Sequence, residues 1–379
     1  MKSITCCTLF SVAKALLSRK LLIALSLAGI SLGRAQTSER IRWENCLEQS
    51  KEWYASDEAT RIADNVLVFQ RKSGGWPKNI DMAQQLTPAR KETLHRQTDG
   101  LESTIDNGAT YTQLRYLAKV YTATGLMRFR DSFIKGFDYL LAAQYPNGGW
   151  PQFYPLIKGY YSHITFNDGA MIGAMSLLRD VEEKDPDFLF VDGQRRERAR
   201  RAVAKGIECI LKCQIVVNGV RTAWCAQHDE NDFSPARARE YELPSLSGEE
   251  SVGIVEFLMS IEHPSAEIVA SIQSAILWFD AVKIRGIRQI RVKDSNGPGG
   301  RDKIVVADAA APPIWARFYE IGNNKYFFCG RDGIKRYKLS ELTYERRNEY
   351  EWLGYWPQEL LHSKYPAWLK RHSLKTVLK

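Results

Sequence analysis

Gly148-Gly149-Trp150-Pro151-Gln152-Phe153, followed by Phe166-Asn167-Asp168-Gly169-Ala170, decides the reading of this chain, because an earlier passage answers it. Gly74-Gly75-Trp76-Pro77-Lys78 leads in the same way to Asp106-Asn107-Gly108-Ala109, with Asn and Asp exchanged. In both, Gly-Gly stops a helix and Trp-Pro turns the chain. Both then reach an Asn/Asp-Gly-Ala element that opens an apolar run at helical spacing. The Trp motifs lie 74 residues apart and the Asp-bearing motifs about 60. That period exceeds the common solenoid repeats. It has room for two antiparallel helices and an elaborate loop. Gly354-Tyr355-Trp356-Pro357 is a weaker echo of the turn.

Paired helices with their loops at one end predict a mainly α fold, an (α/α) toroid-like barrel with long loops and a few short strands. Asp106 and Asp168, at equivalent helix starts, can then face each other across a groove and hold a metal ion. The competing reading makes each aspartate a helix N-cap. Further helical patterns follow Ser56 (Ile62, Val66, Phe69) and cover 109–124, the run marked by Phe133 and Phe137, 198–214, 248–261 and 264–282. Residues 284–292, 303–306 and 326–328 read as strands. The charged stretch 83–100 reads as loop, and the basic tail 370–379 as a frayed end.

The N-terminus bounds the compartment. Arg19-Lys20 ends a basic region, Leu21 to Leu32 is mostly apolar, and Gly33-Arg34-Ala35 places small residues at a cleavage site. The run is short for a membrane span, so residues 1–35 read as a cleaved export signal, with a retained N-terminal anchor as the lesser alternative, and 36–379 as a single catalytic domain. The product is expected to be secreted or periplasmic, monomeric and free of the membrane. Removing that segment lowers the formal charge from +9 to +4, leaving 48 basic against 44 acidic residues. No Lys/Arg stripe is interleaved with aromatics, so nucleic acid is not an expected partner. Cys46, Cys209, Cys213, Cys225 and Cys329 remain, an odd number without a CxxC pair. Neither a disulfide framework nor a zinc site of usual spacing follows; most should be buried thiols, with one bridge still open.

Aromatics cluster in Gly/Pro-rich loops: Trp76, Trp150, Tyr154, Tyr160, Tyr161, Trp224 and Trp356. They either line a sugar-binding cleft or plug loop–helix junctions. Arginines occupy similar loops, at Arg237-Ala238-Arg239-Glu240-Tyr241-Glu242-Leu243-Pro244-Ser245, at Arg317-Phe318-Tyr319-Glu320 and at Gly330-Arg331-Asp332-Gly333. A guanidinium fork matches a carboxylate bidentately, although each of these arginines could equally serve a local ion pair.

Taken in order, Ser103-Thr104-Ile105-Asp106-Asn107-Gly108-Ala109-Thr110, the Asn147–Gln152 motif, Phe166-Asn167-Asp168-Gly169-Ala170-Met171, Tyr241-Glu242-Leu243-Pro244-Ser245, Gly330-Arg331-Asp332-Gly333 and the tail Glu345-Arg346-Arg347 with Gly354-Tyr355-Trp356-Pro357 resemble the family 10 polysaccharide lyases, the pectate (pectic acid) lyases. The resemblance runs from about Trp43 to Trp356. It implies calcium-dependent anti β-elimination of polygalacturonate on an α/α toroid. By motif position Arg331 resembles the catalytic base, and Asp106 and Asp168 the Ca²⁺-binding carboxylates with Asn107 beside them. Arg239 and Arg317 resemble the arginines that hold substrate carboxylates, and Lys205 matches a further contact loosely. Arginine is an awkward base, since its ordinary pKa is about 12.5 or more. Nearby positive charge and burial must favour the neutral guanidine, and activity should then peak at alkaline pH. Two alternatives stand beside this reading. One is an inverting glycoside hydrolase with Asp106 and Asp168 as acid and base, and the other a non-catalytic binder of acidic polysaccharide.

Overall fold

Ser56 accepts a hydrogen bond from the Ala59 amide and so starts α1 (Asp57–Phe69), with Ile62, Val66 and Phe69 buried on one face. The computed structural model describes residues 41–295 and 297–378. Residues 1–35, read from sequence as an export signal, lie outside the described residues. Helix α2 (Pro88–Arg96) follows, then α3 (Tyr111–Thr124), α4 (Met127–Ala143), α5 (Ala170–Glu182), α6 (Gly193–Cys213), α7 (Glu250–Met259), α8 (Ala266–Ala281) and the short α9 (Tyr344–Glu349). Ile41–Lys379 forms one unit, largely helical at 47% helix and 12% strand.

Two rows of helices carry this unit. Helices α3, α5 and α7 touch in succession, and each packs against its own partner, α4, α6 or α8. The partners form the second row with α1: α1 touches α4, and α4 touches α6. A glutamine at the C-terminal end of α1, α4 and α6 ties the row together. Gln70 Nε2 donates to Gly74 O and Ser132 O, Gln144 Nε2 to Gly148 O and Ala202 O, and Gln214 Nε2 to Thr222 O and Ser271 O. Each amide thus holds its own outgoing loop and grips the next helix of the row.

A tryptophan closes each helix of the second row. Trp76 Nε1 donates to Val66 O, Trp150 Nε1 to Leu140 O, Trp224 Nε1 to Ile210 O and Trp315 Nε1 to Phe279 O, at 2.7 to 2.9 Å. All four rings are buried, and truncating a ring of this kind to Ala costs about 3–5 kcal/mol. The junction-plug reading therefore holds for Trp76, Trp150 and Trp224. Trp315, not the echo at Trp356, is the fourth member. The loops demand glycine where they cross a neighbouring helix: Gly148 has φ +96°, and a Cβ there would meet Lys205 O at 2.1 Å.

Strands are short and decorate the helices. The longest pair, Ile287–Lys293 with Arg301–Ala307, is an antiparallel hairpin near the predicted 284–292 and 303–306. Two predictions need correction. Residues 88–96 are helical because Thr87 caps the Arg90 amide and Pro88 suits the first turn; only Leu94 is buried, so no apolar stripe announced the helix. The tail is not frayed at its start: Tyr365–Arg371 is helical with Trp368 and Leu369 buried, and Leu374 and Val377 pack on the core. The five cysteines from Cys46 onward are buried free thiols.

Candidate active site

The carbonyls of the plugging tryptophans fix what comes next. Trp76 O accepts from Thr104 N, Trp150 O from Thr165 N and Trp224 O from Ser247 N. Two residues beyond each of these stands the first of a polar pair: Asp106-Asn107 before α3, Asn167-Asp168 before α5, and Glu249-Glu250 at the start of α7. The first two pairs share a backbone, with Asn107 at φ 50° and Asp168 at φ 49°. Asn and Asp tolerate this left-handed region better than most residues. Neither aspartate accepts a capping hydrogen bond from the helix behind it. The N-cap alternative therefore fails, and both side chains are free to turn toward each other.

They meet around Asn167, whose Nδ2 lies 2.7 Å from Asp168 Oδ2 and 3.4 Å from Asp106 Oδ1. Asp106 is buried. Its Oδ2 receives Gln152 Nε2 at 2.5 Å and is ion-paired with Lys78. Lys78 and Gln152 each stand two residues after a plugging tryptophan. So does Arg317 after Trp315, and it is buried among Asp168 (3.2 Å), Glu249 (3.0 Å) and Glu250. Four carboxylates thus face two cations, Lys78 and Arg317. Burial raises the Asp168 carboxyl pKa, and Glu250 and Asp106 add to the rise against the pull of Arg317. Gln152 Oε1 is buried beside Asp106 without a hydrogen-bond partner. An oxygen-rich, net-negative, partly unsatisfied cluster suits a hard divalent cation.

Glu249 reports the same imbalance. Burial, with Glu250 and Asp168 beside it, pushes its pKa from the ordinary 4.5 up to about 7 despite Arg317. Between those values the native state holds more protons than the unfolded state, so stability falls as pH rises. In chelator, the melting temperature is expected to drop from pH 5 to pH 8, and Glu249→Gln should remove part of that drop. An unchanged slope by differential scanning calorimetry would contradict the assignment.

Beyond the cluster, three guanidinium groups surround one ring. Arg239, Arg331 and Arg346 lie 5.0, 5.0 and 4.4 Å from the centre of Tyr241. Arg239 is half-exposed and held by Glu242 (Nε to Oε2, 2.8 Å). Against the effect of burial, Arg239 in turn holds the Glu242 carboxyl below its ordinary pKa. Arg331 is exposed, with Glu345 at 2.5 and 2.9 Å and the Tyr241 hydroxyl at 3.1 Å. Those partners hold its pKa up, the reverse of the burial and positive surroundings expected of a base.

The sequence-predicted residues thus separate into groups. Asp106, Asp168 and Arg317 come together, but Arg317 offers no open fork, because carboxylates already occupy it. Asn107 Nδ2 donates to Asn79 Oδ1 at the edge of this cluster, beside a cavity of about 340 Å³ that Lys78 also lines. Lys205 stands elsewhere, on the exposed face of α6, lining a shallow depression with Arg198 and Arg201. Lys78, Gln152, Asn167, Glu249 and Glu250 were not singled out from sequence. The signal for Lys78 and Gln152 was present, since both follow Trp-Pro. An inverting pair needs carboxylates roughly 6.5–9.5 Å apart with water between them. A single amide nitrogen with arms of 2.7 and 3.4 Å bridges these two, so Asn167, and not a water, stands between their nearest oxygens.

Comparison with known proteins agrees on one relationship. The pectic acid lyase sequence pattern matches residues 70–361. A family 10 polysaccharide lyase from Cellvibrio cellulosa is 36% identical, with a TM-score of 0.73, over 86% of this chain and 95% of that one. A mutant of the family 10 lyase from Cellvibrio cellulosa, in complex with trigalacturonic acid, is likewise 36% identical, with a TM-score of 0.72 and the same coverage. No curated protein matches the chain.

Proposed function

Because this chain belongs to the pectic acid lyases and is a pectate lyase, we propose that it cleaves polygalacturonate by calcium-assisted anti β-elimination, with an arginine as base. The carrying observation is the net-negative cluster of Asp106, Asp168, Glu249 and Glu250 set beside an arginine-rich wall around Tyr241. Trigalacturonic acid in the complex of the related lyase supports an acidic polysaccharide substrate. The two rows of helices support an (α/α) toroid-like arrangement, and the apolar run before Ala35 supports export. The same charge excess on loops that a non-catalytic binder would not need argues for chemistry over simple capture.

Asp106 and Asp168 would hold the Ca²⁺, with Asn167 between them. Its charge would offset the negative charge that builds on the uronate C6 carboxylate as C5 loses its proton. Asp106 is kept in place by Lys78 and Gln152, and Asp168 by Arg317. The guanidinium groups at Tyr241 bind substrate carboxylates and bring one neutral guanidine to C5–H. The C5–H electron pair becomes the C4–C5 double bond as the C4–O bond breaks. The leaving glycosidic oxygen takes a proton from solvent. Motif order gives the base to Arg331, and Arg239, on the same Tyr241 ring, is the second candidate. The pair divides base and carboxylate holder between them. The test is the ultraviolet absorbance of unsaturated product from polygalacturonate with Ca²⁺ added or chelated. Reducing ends without that absorbance would sink elimination.

A further inference from the structure

Arg346, on α9, is a buried cation with no carboxylate of its own. Its guanidinium lies 4.4 Å from the ring centres of Tyr241 and Tyr350 and 4.8 Å from that of Trp352. Its Nε makes one long bond of 3.5 Å, to Cys329 O, and its Nη2 is buried without a partner. The surrounding charges are matched in pairs. Arg331 has Glu345, Arg239 has Glu242, Arg347 has Asp302, Arg336 has Asp332 and Lys335 has Glu320. Arg317, 4.9 Å from the ring centre of Tyr350, has its three carboxylates. Among these described groups Arg346 alone is uncompensated.

We propose that Arg346 is a positioning residue: from the ring of Tyr241 its unmatched charge and its stacking set Arg239 and Arg331 for proton abstraction. This rests on the reading that an arginine is the base. The geometry supplies two effects. The three-ring cage fixes Tyr241, the ring on which both outer arginines lie, so both forks hold their direction. A buried positive charge facing the same ring disfavours a second protonated guanidinium nearby, and a base of very high ordinary pKa needs that help. Cation–ring stacking offsets the desolvation of Arg346 itself, and burial already pushes its pKa below the usual arginine value. Tyr241, Tyr350, Glu345 and Arg331 are the titratable groups acting on it, with Cys329 at its Nε.

The experiment compares the pH profile of kcat/KM on polygalacturonate for wild type, Arg346→Lys and Arg346→Met. Activity of an arginine base rises with pH until its pKa is passed. Removing the nearby charge raises that pKa, so the rising limb of Arg346→Met should move up by about one pH unit. Activity at a fixed pH on the limb then falls about tenfold. Arg346→Lys keeps the charge and should leave the limb close to wild type, with calcium affinity by calorimetry unchanged in both variants. A lower rate with an unshifted limb in Arg346→Met would mean a purely structural role and overturn the proposal. If Arg346→Met fails to fold, a limb in Arg346→Lys displaced as far as one unit overturns it equally. A wild-type profile without a rising alkaline limb would instead remove the arginine base itself, a separate failure.

Discussion

Asp106→Asn is expected to lose about 10²–10³-fold of kcat on polygalacturonate, the size of effect seen when a group that stabilises developing charge is removed. The variant keeps the volume and the ability to receive Lys78 and Gln152, so its fold should survive. Asp106 is buried and takes both of those donors on one oxygen, which leaves Oδ1 directed at Asn167 and the shared site. Isothermal titration with Ca²⁺ should show binding weakened together with the rate, and chelation of wild type should reproduce the loss. Asp168→Asn should act in the same direction but also release Arg317 from one of its three carboxylates. Undiminished Ca²⁺ binding and rate in Asp106→Asn would end the assignment of the cluster as a metal site.

Arg239→Lys and Arg331→Lys carry the second large effect. General-base catalysis contributes about 10²–10⁴-fold, so lysine in place of the base should lower kcat by that order with little change in KM. Lysine in place of the carboxylate holder should mainly raise KM, because a point charge replaces a bidentate fork. The two variants therefore separate these roles. Arg331 begins from a bidentate pair with Glu345; substrate must draw it away before it can act. Arg239 begins half-exposed, held by Glu242. Steady-state kinetics across pH on both variants decides between them, and wild-type kcat in both would remove arginine from the proton transfer.

The fold was legible where a period of 3.6 coincided with a stop signal. Ser56, Gly-Gly and Trp-Pro marked α1, α4 and their loops before any coordinates. Helix α2 was hidden because its exposed face carries nearly every residue, leaving only a capping Thr87 and Pro88 as clues. The aspartate pair was legible because the motif repeats within a few residues of identity. Glu249-Glu250 was not, although it fills the same place at the third helix start: Ser247-Gly248 shares no letters with Ile105 or Phe166. Arg317 was legible as a positioned arginine, yet its three carboxylates come from distant segments, and no spacing in the chain announces them. Lys205 drew notice from a loose motif and belongs to the outside of α6.

The residue two places after each plugging tryptophan is Lys78, Gln152, Ala226 and Arg317 in turn. The backbone delivers each to a comparable address, and chemistry enters through the letter written there. A cation and an amide serve Asp106, a cation serves Asp168, and Ala226 lends only its carbonyl, which accepts the Phe166 and Asn167 amides. Scaffold and reactivity are thereby separable traits. The charge of the cleft is open to change one letter at a time, while the tryptophan that defines each address is left in place.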